Sequence, residues 1–179
     1  MVEESKGSAR SAAAGSQPNQ DELLPDPLND RQMNDVPRPP NKRLSLDRIY
    51  PLNASGLRAQ APDHELIRNY QYVNGKLSKQ AFLIVTNMAK QIMSREPNIL
   101  RVDGQVVIFG DIHGQYYDLC EVLRRQKFGR TSKKFLFLGD YVDRGTYGPQ
   151  VIAYLFAMKI RFPDQVYLVR GNHETRECT

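Results

Sequence analysis

The sequence predicts an α/β fold, and three observations carry that prediction. Short, continuous apolar runs at residues 105–109, 135–138 and 166–169 alternate with stretches whose apolar residues recur at helical spacing. Each run ends in a polar cluster opened by glycine: Gly110-Asp111-Ile112-His113-Gly114, then Gly139-Asp140-Tyr141-Val142-Asp143-Arg144-Gly145, then Gly171-Asn172-His173-Glu174. Asp111 and Asp140 stand 29 residues apart, and Asp140 and Asn172 stand 32 apart. A strand-helix-strand unit takes about 30 residues. The order β-α-β-α-β with right-handed crossovers gives a parallel sheet, so the three clusters face one point in space.

Taken in order, residues 1–45 are rich in Ser, Ala, Gln, Asn, Asp and Pro and poor in aromatic and β-branched residues. Such a segment buries too little apolar area to offset its ordering entropy, and a disordered tail is expected. Lys42-Arg43-Leu44-Ser45 has the basic-then-serine pattern of basophilic kinase sites, and Asn53-Ala54-Ser55 fits a glycosylation sequon. The first pattern is common by chance and the second comes without a secretory signal, so neither is expected to be used. Residues 46–179 are read as the folded part. Pro51 and Pro62 interrupt any long helix there. A short helix is expected from about Asp63 to Tyr70, followed by a turn at Asn74-Gly75. His64, without ligand-type neighbours, reads as a surface histidine.

Leu77, Ala81, Val85, Met88 and Ile92 recur at helical spacing, with Ser78 as N-cap and Pro97-Asn98 as the stop. The first strand follows at residues 105–109. Tyr116, Leu119, Cys120 and Leu123 continue as a helix to about Gln126, with Cys120 on its core face. After a basic loop at residues 129–133 comes the second strand. Val151, Leu155, Met158 and Phe162 form the next helix, stopped by Pro163, and the third strand leads to Arg170 and Gly171.

Of the 179 residues, 40% are hydrophobic and 25% charged, as in a globular domain. Residues 1–60 balance eight acids against eight bases, and residues 61–179 carry the whole net charge of +5. The bases are scattered singly or in pairs, which disfavours a nucleic-acid surface and suits phosphate handling or acidic partners. No apolar stretch resembles a transmembrane span or signal peptide, so no membrane association is expected. Two cysteines without a CxxC pattern suit a reducing compartment, cytoplasmic or nuclear.

In open α/β sheets ligands bind at the carboxyl ends of the strands. Asp111 and His113 are placed to reach one centre, and Asp140 on the neighbouring strand can meet it. The two carboxylate oxygens of Asp140 can bridge two metals, the second of which Asn172 meets with its amide oxygen. Oxygen plus imidazole ligation suits two divalent ions such as Mn, Fe or Zn. Two such ions can activate a hydroxide and clamp an in-line displacement at phosphorus. Arg144 fits as a bidentate clamp on phosphoryl oxygens. His173 is placed to protonate a leaving oxygen, with Asp143 accepting its other N–H. Singly, each of these residues has a structural explanation, but three successive strand ends make coincidence a poor one. Glu174 and Arg170 read as local ion pairing that shapes the loop.

The three clusters resemble the GDxHG, GDxVDRG and GNHE signatures of the phosphoprotein phosphatase family of serine/threonine phosphatases. Residues 65–179 are most similar to its calcineurin-type branch, through Gly75-Lys76-Leu77, Glu96-Pro97-Asn98-Ile99-Leu100 and the segment from Leu155 to Pro163. The resemblance implies a metallophosphoesterase-type β-sandwich flanked by helices, of which only the first β-α-β-α-β half is present. It implies dephosphorylation of phosphoserine and phosphothreonine by a two-metal-activated hydroxide. Asp111, His113, Asp140 and Asn172 would be metal ligands, Arg144 and Asn172 would bind substrate phosphate, and His173 with Asp143 would form the acid pair. Phosphoprotein substrates and, for a full-length protein, a regulatory subunit are the implied partners.

The family also uses two histidines, an arginine and a tyrosine from the second half of its domain. This chain has only His64, His113 and His173. The expectation is therefore a truncated catalytic subunit, inactive and poorly soluble alone. Two alternatives are a non-catalytic metal- or partner-binding fragment, and a metallophosphoesterase acting on nucleotides or small phosphate esters.

Overall fold

The computed structural model of the chain describes residues 40 and 42–178. Most of the expected tail lies outside the described residues. Residues 42–45, which composition assigned to that tail, belong to the folded body. Leu44 is fully buried, donates its N–H to Lys76 O (2.9 Å) and accepts from Ser78 N–H (2.9 Å). This short parallel bridge to Leu77 holds the kinase-like Arg43-Leu44-Ser45 pattern within the fold.

Among the described residues five helices and three strands follow in the order α1 (Leu46–Ile49), α2 (His64–Tyr72), α3 (Lys79–Met93), β1 (Val106–Phe109), α4 (Tyr116–Arg125), β2 (Lys134–Phe137), α5 (Gly148–Arg161) and β3 (Val166–Leu168). The one-turn α1 is too short to show a periodicity. Between α1 and α2, Asn53 of the sequon uses its Oδ1 to accept the N–H groups of Ser55 (3.0 Å) and Leu57 (2.8 Å). It is a loop-forming asparagine. Asp63 caps α2 through Leu66 N–H, and Ser78 caps α3 through Ala81 N–H. Helix α3 ends at Met93, short of the proline expected to stop it. Turn-type bonds from Arg95 and Glu96 carry the chain onward.

The sheet is parallel, in the order β1-β2-β3, with Val107 opposite Phe135 and Phe135 opposite Val166. Its inner face buries Phe135, Phe137 and Val166 against Leu119 and Leu123 of α4 and Val151, Leu155 and Met158 of α5. A second core joins Ala81, Val85 and Ala89 of α3 to Ala153 and Ala157 of α5. Alanines at that contact let the two helices approach closely. His64 is half-buried at the end of this body, not on the surface. Its ring meets Phe128 and Phe162 edge-on, at centroid distances of 5.9 and 5.2 Å. Burial pushes its pKa down.

The outer face of the sheet is open. Ile108, Leu138 and Val169 are 62%, 49% and 42% exposed. Among the described residues no helix is long and apolar enough to cross a membrane.

Candidate metal and phosphate site

The three polar loops leave the carboxyl ends of β1, β2 and β3 and pack on one another. Asp140 O accepts the N–H groups of Ile112 (3.0 Å) and His113 (2.8 Å), and Tyr141 O accepts from Gly114 (2.9 Å). Gly145 N–H donates to His113 O (2.9 Å). From below, the buried Tyr141 hydroxyl donates to Val169 O (2.7 Å), tying the end of β2 to the end of β3. The loop glycines serve this contact between loops. Gly139 has φ 108°, and a Cβ there would overlap the backbone nitrogen of Gly171; Gly110, by contrast, has open space beside it.

Glu174 has a different part from the ion pairing expected of it. Its two carboxylate oxygens accept three backbone N–H groups, from Asp140 (2.8 Å), Tyr141 (2.7 Å) and Gly171 (2.9 Å). Charge-assisted bonds of this kind are short and strong. One side chain thus fixes the loop after β2 to the loop after β3. The motif text shows the glutamate but not its donors, which lie partly 33 and 34 residues away.

His113 shows what the assembled loops are suited to hold. Its Nδ1 lies 2.8 Å from Val142 O. A carbonyl only accepts, so Nδ1 carries the proton and Nε2 of the neutral ring presents a lone pair. Nε2 is buried and has no hydrogen-bond partner. It faces Asp111 Oδ2 at 3.7 Å and Asp140 Oδ2 at 3.9 Å. A buried lone pair beside two carboxylates is costly unless a cation satisfies it. Fixing the distal ring nitrogen to a carbonyl is the usual way a metal-binding histidine is oriented. The donor set therefore fits a divalent cation.

His173 lies in the same cluster. One ligand-type atom from each of His113, Asp140 and His173 falls within 4.8 Å of the others, and the two imidazoles meet edge-on at 4.7 Å. His173 N–H donates to Asp140 Oδ1 (2.9 Å), and His173 Nδ1 lies 2.9 Å from Asp143 Oδ2. Asp140 thus turns one oxygen to the third loop and the other to His113. Asp111 stands at the mouth with its side chain 67% exposed. Arg144 and Asn172 sit on the same two loops with exposed side chains, and no described hydrogen bond or ion pair ties either to the cluster. His113, Asp140, Asp143 and Arg144 all have positive φ, between 45° and 66°. Left-handed backbone at non-glycine residues costs about 1 kcal/mol or more each and gathers at functional sites.

Comparison with known proteins agrees with this geometry. Residues 104–179 match the family described as calcineurin-like phosphoesterase. The chain is 39% identical over 118 residues to the serine/threonine-protein phosphatase 2B catalytic subunit A2 of Saccharomyces cerevisiae, a match covering 66% of this chain and 19% of that protein. It is 35% identical over 151 residues to subunit A1 of the same organism, covering 84% of this chain and 26% of that one. It thus spans about a fifth to a quarter of the length of these relatives. Among solved structures, a Saccharomyces cerevisiae protein serine/threonine phosphatase with similarity to human phosphatase PP5 superposes with a TM-score of 0.53 at 31% identity. That match covers 59% of this chain and 35% of the other. Residues 104–179 thus match the calcineurin-like phosphoesterase family, and the catalytic subunits to which the chain is similar are serine/threonine-protein phosphatases.

Proposed function

We propose that this chain supplies part of the active site of a serine/threonine protein phosphatase that hydrolyses phosphoserine and phosphothreonine in protein substrates. The observation that carries the reading is His113. Its imidazole is buried and oriented by Val142, and its unpartnered Nε2 lies between two carboxylates. Asp111, His113 and Asp140 would hold one divalent ion, and Asp140 with Asn172 would begin the site of a second. Manganese, iron and zinc suit that mixture of imidazole and oxygen donors. Such ions, when bound, acidify water and offset charge on the phosphoryl group.

The chain's own groups supply the rest. Asp143 holds the His173 ring by Nδ1, which leaves Nε2 as the atom that gives a proton to the departing seryl or threonyl oxygen. Arg144, exposed at the rim, is free to turn its planar guanidinium onto two phosphoryl oxygens, and Asn172 offers its amide to a third. Both yeast relatives are catalytic subunits by name, which supports a regulatory partner in the full-length protein, and two cysteines without a CxxC pattern support a cytoplasmic or nuclear setting.

Residues 1–179 are expected to bind one manganese ion per chain by titration calorimetry, and His113→Ala to abolish that binding. They are expected not to turn over p-nitrophenyl phosphate. Joined to the remaining catalytic segment of yeast subunit A2, the chain should dephosphorylate a phosphoserine peptide, and His173→Asn should reduce that rate about 100-fold or more. Binding that ignores His113→Ala, or robust turnover by residues 1–179 alone, refutes the assignment of a half-built site.

A further inference from the structure

Beside the catalytic loops lies a cavity of about 530 Å³ between the start of α3 and the start of α5. Three cations line it: Arg43, Lys76 and Lys79. The bridge between Leu44 and Leu77 places Arg43 and Lys76 side by side, through the bond from Leu44 N–H to Lys76 O. Lys79 opens the first turn of the fifteen-residue α3, the positive end of its dipole. No carboxylate lines the cavity among the described residues. The walls are apolar, with Leu77, Phe82 and Pro149, and Leu83 stands 48% exposed at the edge. Gln71 also lines it. That side chain belongs to a residue only 4% exposed, and its Oε1 has no hydrogen-bond partner. A second cavity, lined by Val142, Asp143 and Gly145, shares Phe82, Thr146 and Pro149 with the first. The groove therefore runs up to the loop that carries Arg144.

We infer that this groove is a docking site for an acidic peptide segment in extended conformation. The chemistry of the walls selects that occupant. Carboxylates meet Arg43, Lys76 and Lys79. An apolar side chain covers Phe82 and Leu83. A basic or purely apolar segment would leave the three cations that line the groove without a counter-charge. The inference does not depend on catalysis, and binding is its readout.

The test uses residues 1–179 immobilised on a biosensor surface. The probe is a twelve-residue peptide rich in Glu with two Leu, compared with its counterpart in which every Glu is Lys. The acidic peptide should bind and should weaken with added salt, while the Lys peptide should not bind. Lys76→Glu with Lys79→Glu should weaken binding about tenfold or more, as two charge reversals at the rim would. Leu83→Asp should also weaken it. Arg124→Glu with Lys127→Glu, on the separate basic cavity that those residues line, should leave it unchanged. Where the Lys76/Lys79 reversal does not fold by circular dichroism, Lys76→Gln with Lys79→Gln takes its place. Equal binding of the two peptides, no effect at Lys76 and Lys79, or an equal loss on reversing Arg124 and Lys127 each overturns the assignment.

Discussion

At the scale of single residues, the loops are held by a few side chains whose work is to place backbone. Glu174 is the clearest case, because three N–H groups from two loops converge on one carboxylate. Replacing it with Gln turns one acceptor into a donor that faces other donors. Glu174→Gln is therefore expected to cost about 1–3 kcal/mol of stability in urea unfolding, as a buried donor left unpaired does. Because the same bonds set the backbone of Asp140, manganese affinity should fall about 10–100-fold, and an unchanged affinity would show that Asp140 is placed by other means. His64 makes a second, independent prediction. Desolvation against Phe128 and Phe162 lowers its pKa, so the folded state takes up a proton less readily than the unfolded chain. The nearby Glu65 and Asp63 oppose that shift, while Arg68 and Arg161 add to it. The stability it supports is full above the ordinary value of 6.5 and is lost as pH falls through the lower, folded value. The melting temperature should drop on acidification below 6.5, and His64→Phe should lessen that drop. The two thiols also separate. Cys120 is buried with its pKa pushed up to about 11, and Cys178 is exposed. Ellman's reagent should label Cys178 quickly and Cys120 only on unfolding.

At the scale of elements, Lys159 decides how α3, α5 and β3 meet. It is fully buried in α5, paired with Glu96 after α3, and donates to Pro163 O (2.9 Å) and Val166 O (2.7 Å). Its ammonium also lies 5.2 Å from the Tyr167 ring. Removing the cation strands two carbonyls and a half-buried carboxylate. Lys159→Ala should cost about 3 kcal/mol or more by urea unfolding, whereas an exposed lysine such as Lys90 should cost almost nothing. A loss under about 1 kcal/mol would mean that water replaces the clamp. Lys159 also marks the border of what the sequence shows. The elements α2 to α5 and β1 to β3 were legible because each has its own period and its own stop, such as the Ser78 cap or Pro163 after α5. The gathering of Asp111, His113, Asp140, Asp143 and His173 was legible because strand ends meet on one edge of a parallel sheet. What could not be read depends on partners distant in the chain. Lys159 and Glu96 are 63 residues apart, and Leu44 meets Leu77 across 33. His64 meets aromatic rings contributed by two other segments, and Glu174 meets donors that every backbone has.

At the scale of the whole molecule, the sheet has one covered face and one open face. The parallel register puts Ile108 opposite Leu136, and Leu136 opposite Tyr167. Side chains alternate, so Leu138 and Val169, two residues further on, lie on that same face. Ile108, Leu138 and Val169 are all large and exposed. Parallel sheets are normally covered on both faces. The segments shared with the yeast relatives make up only 26% and 19% of those proteins' length. An open apolar face of this kind drives association, since each buried Å² of apolar area is worth roughly 25 cal/mol. Residues 1–179 should therefore self-associate in sedimentation velocity, with a mean mass that rises with concentration. Ile108→Lys with Leu138→Glu puts opposite charges on the open face without touching the covered one. That variant should sediment as a monomer and melt at nearly the same temperature, because neither side chain contributes to the packed core. A wild-type chain that is monomeric at high concentration would mean that the outer face is already covered. In that case the double substitution should instead lower the melting temperature, and the two measurements together distinguish an open sheet from a closed one.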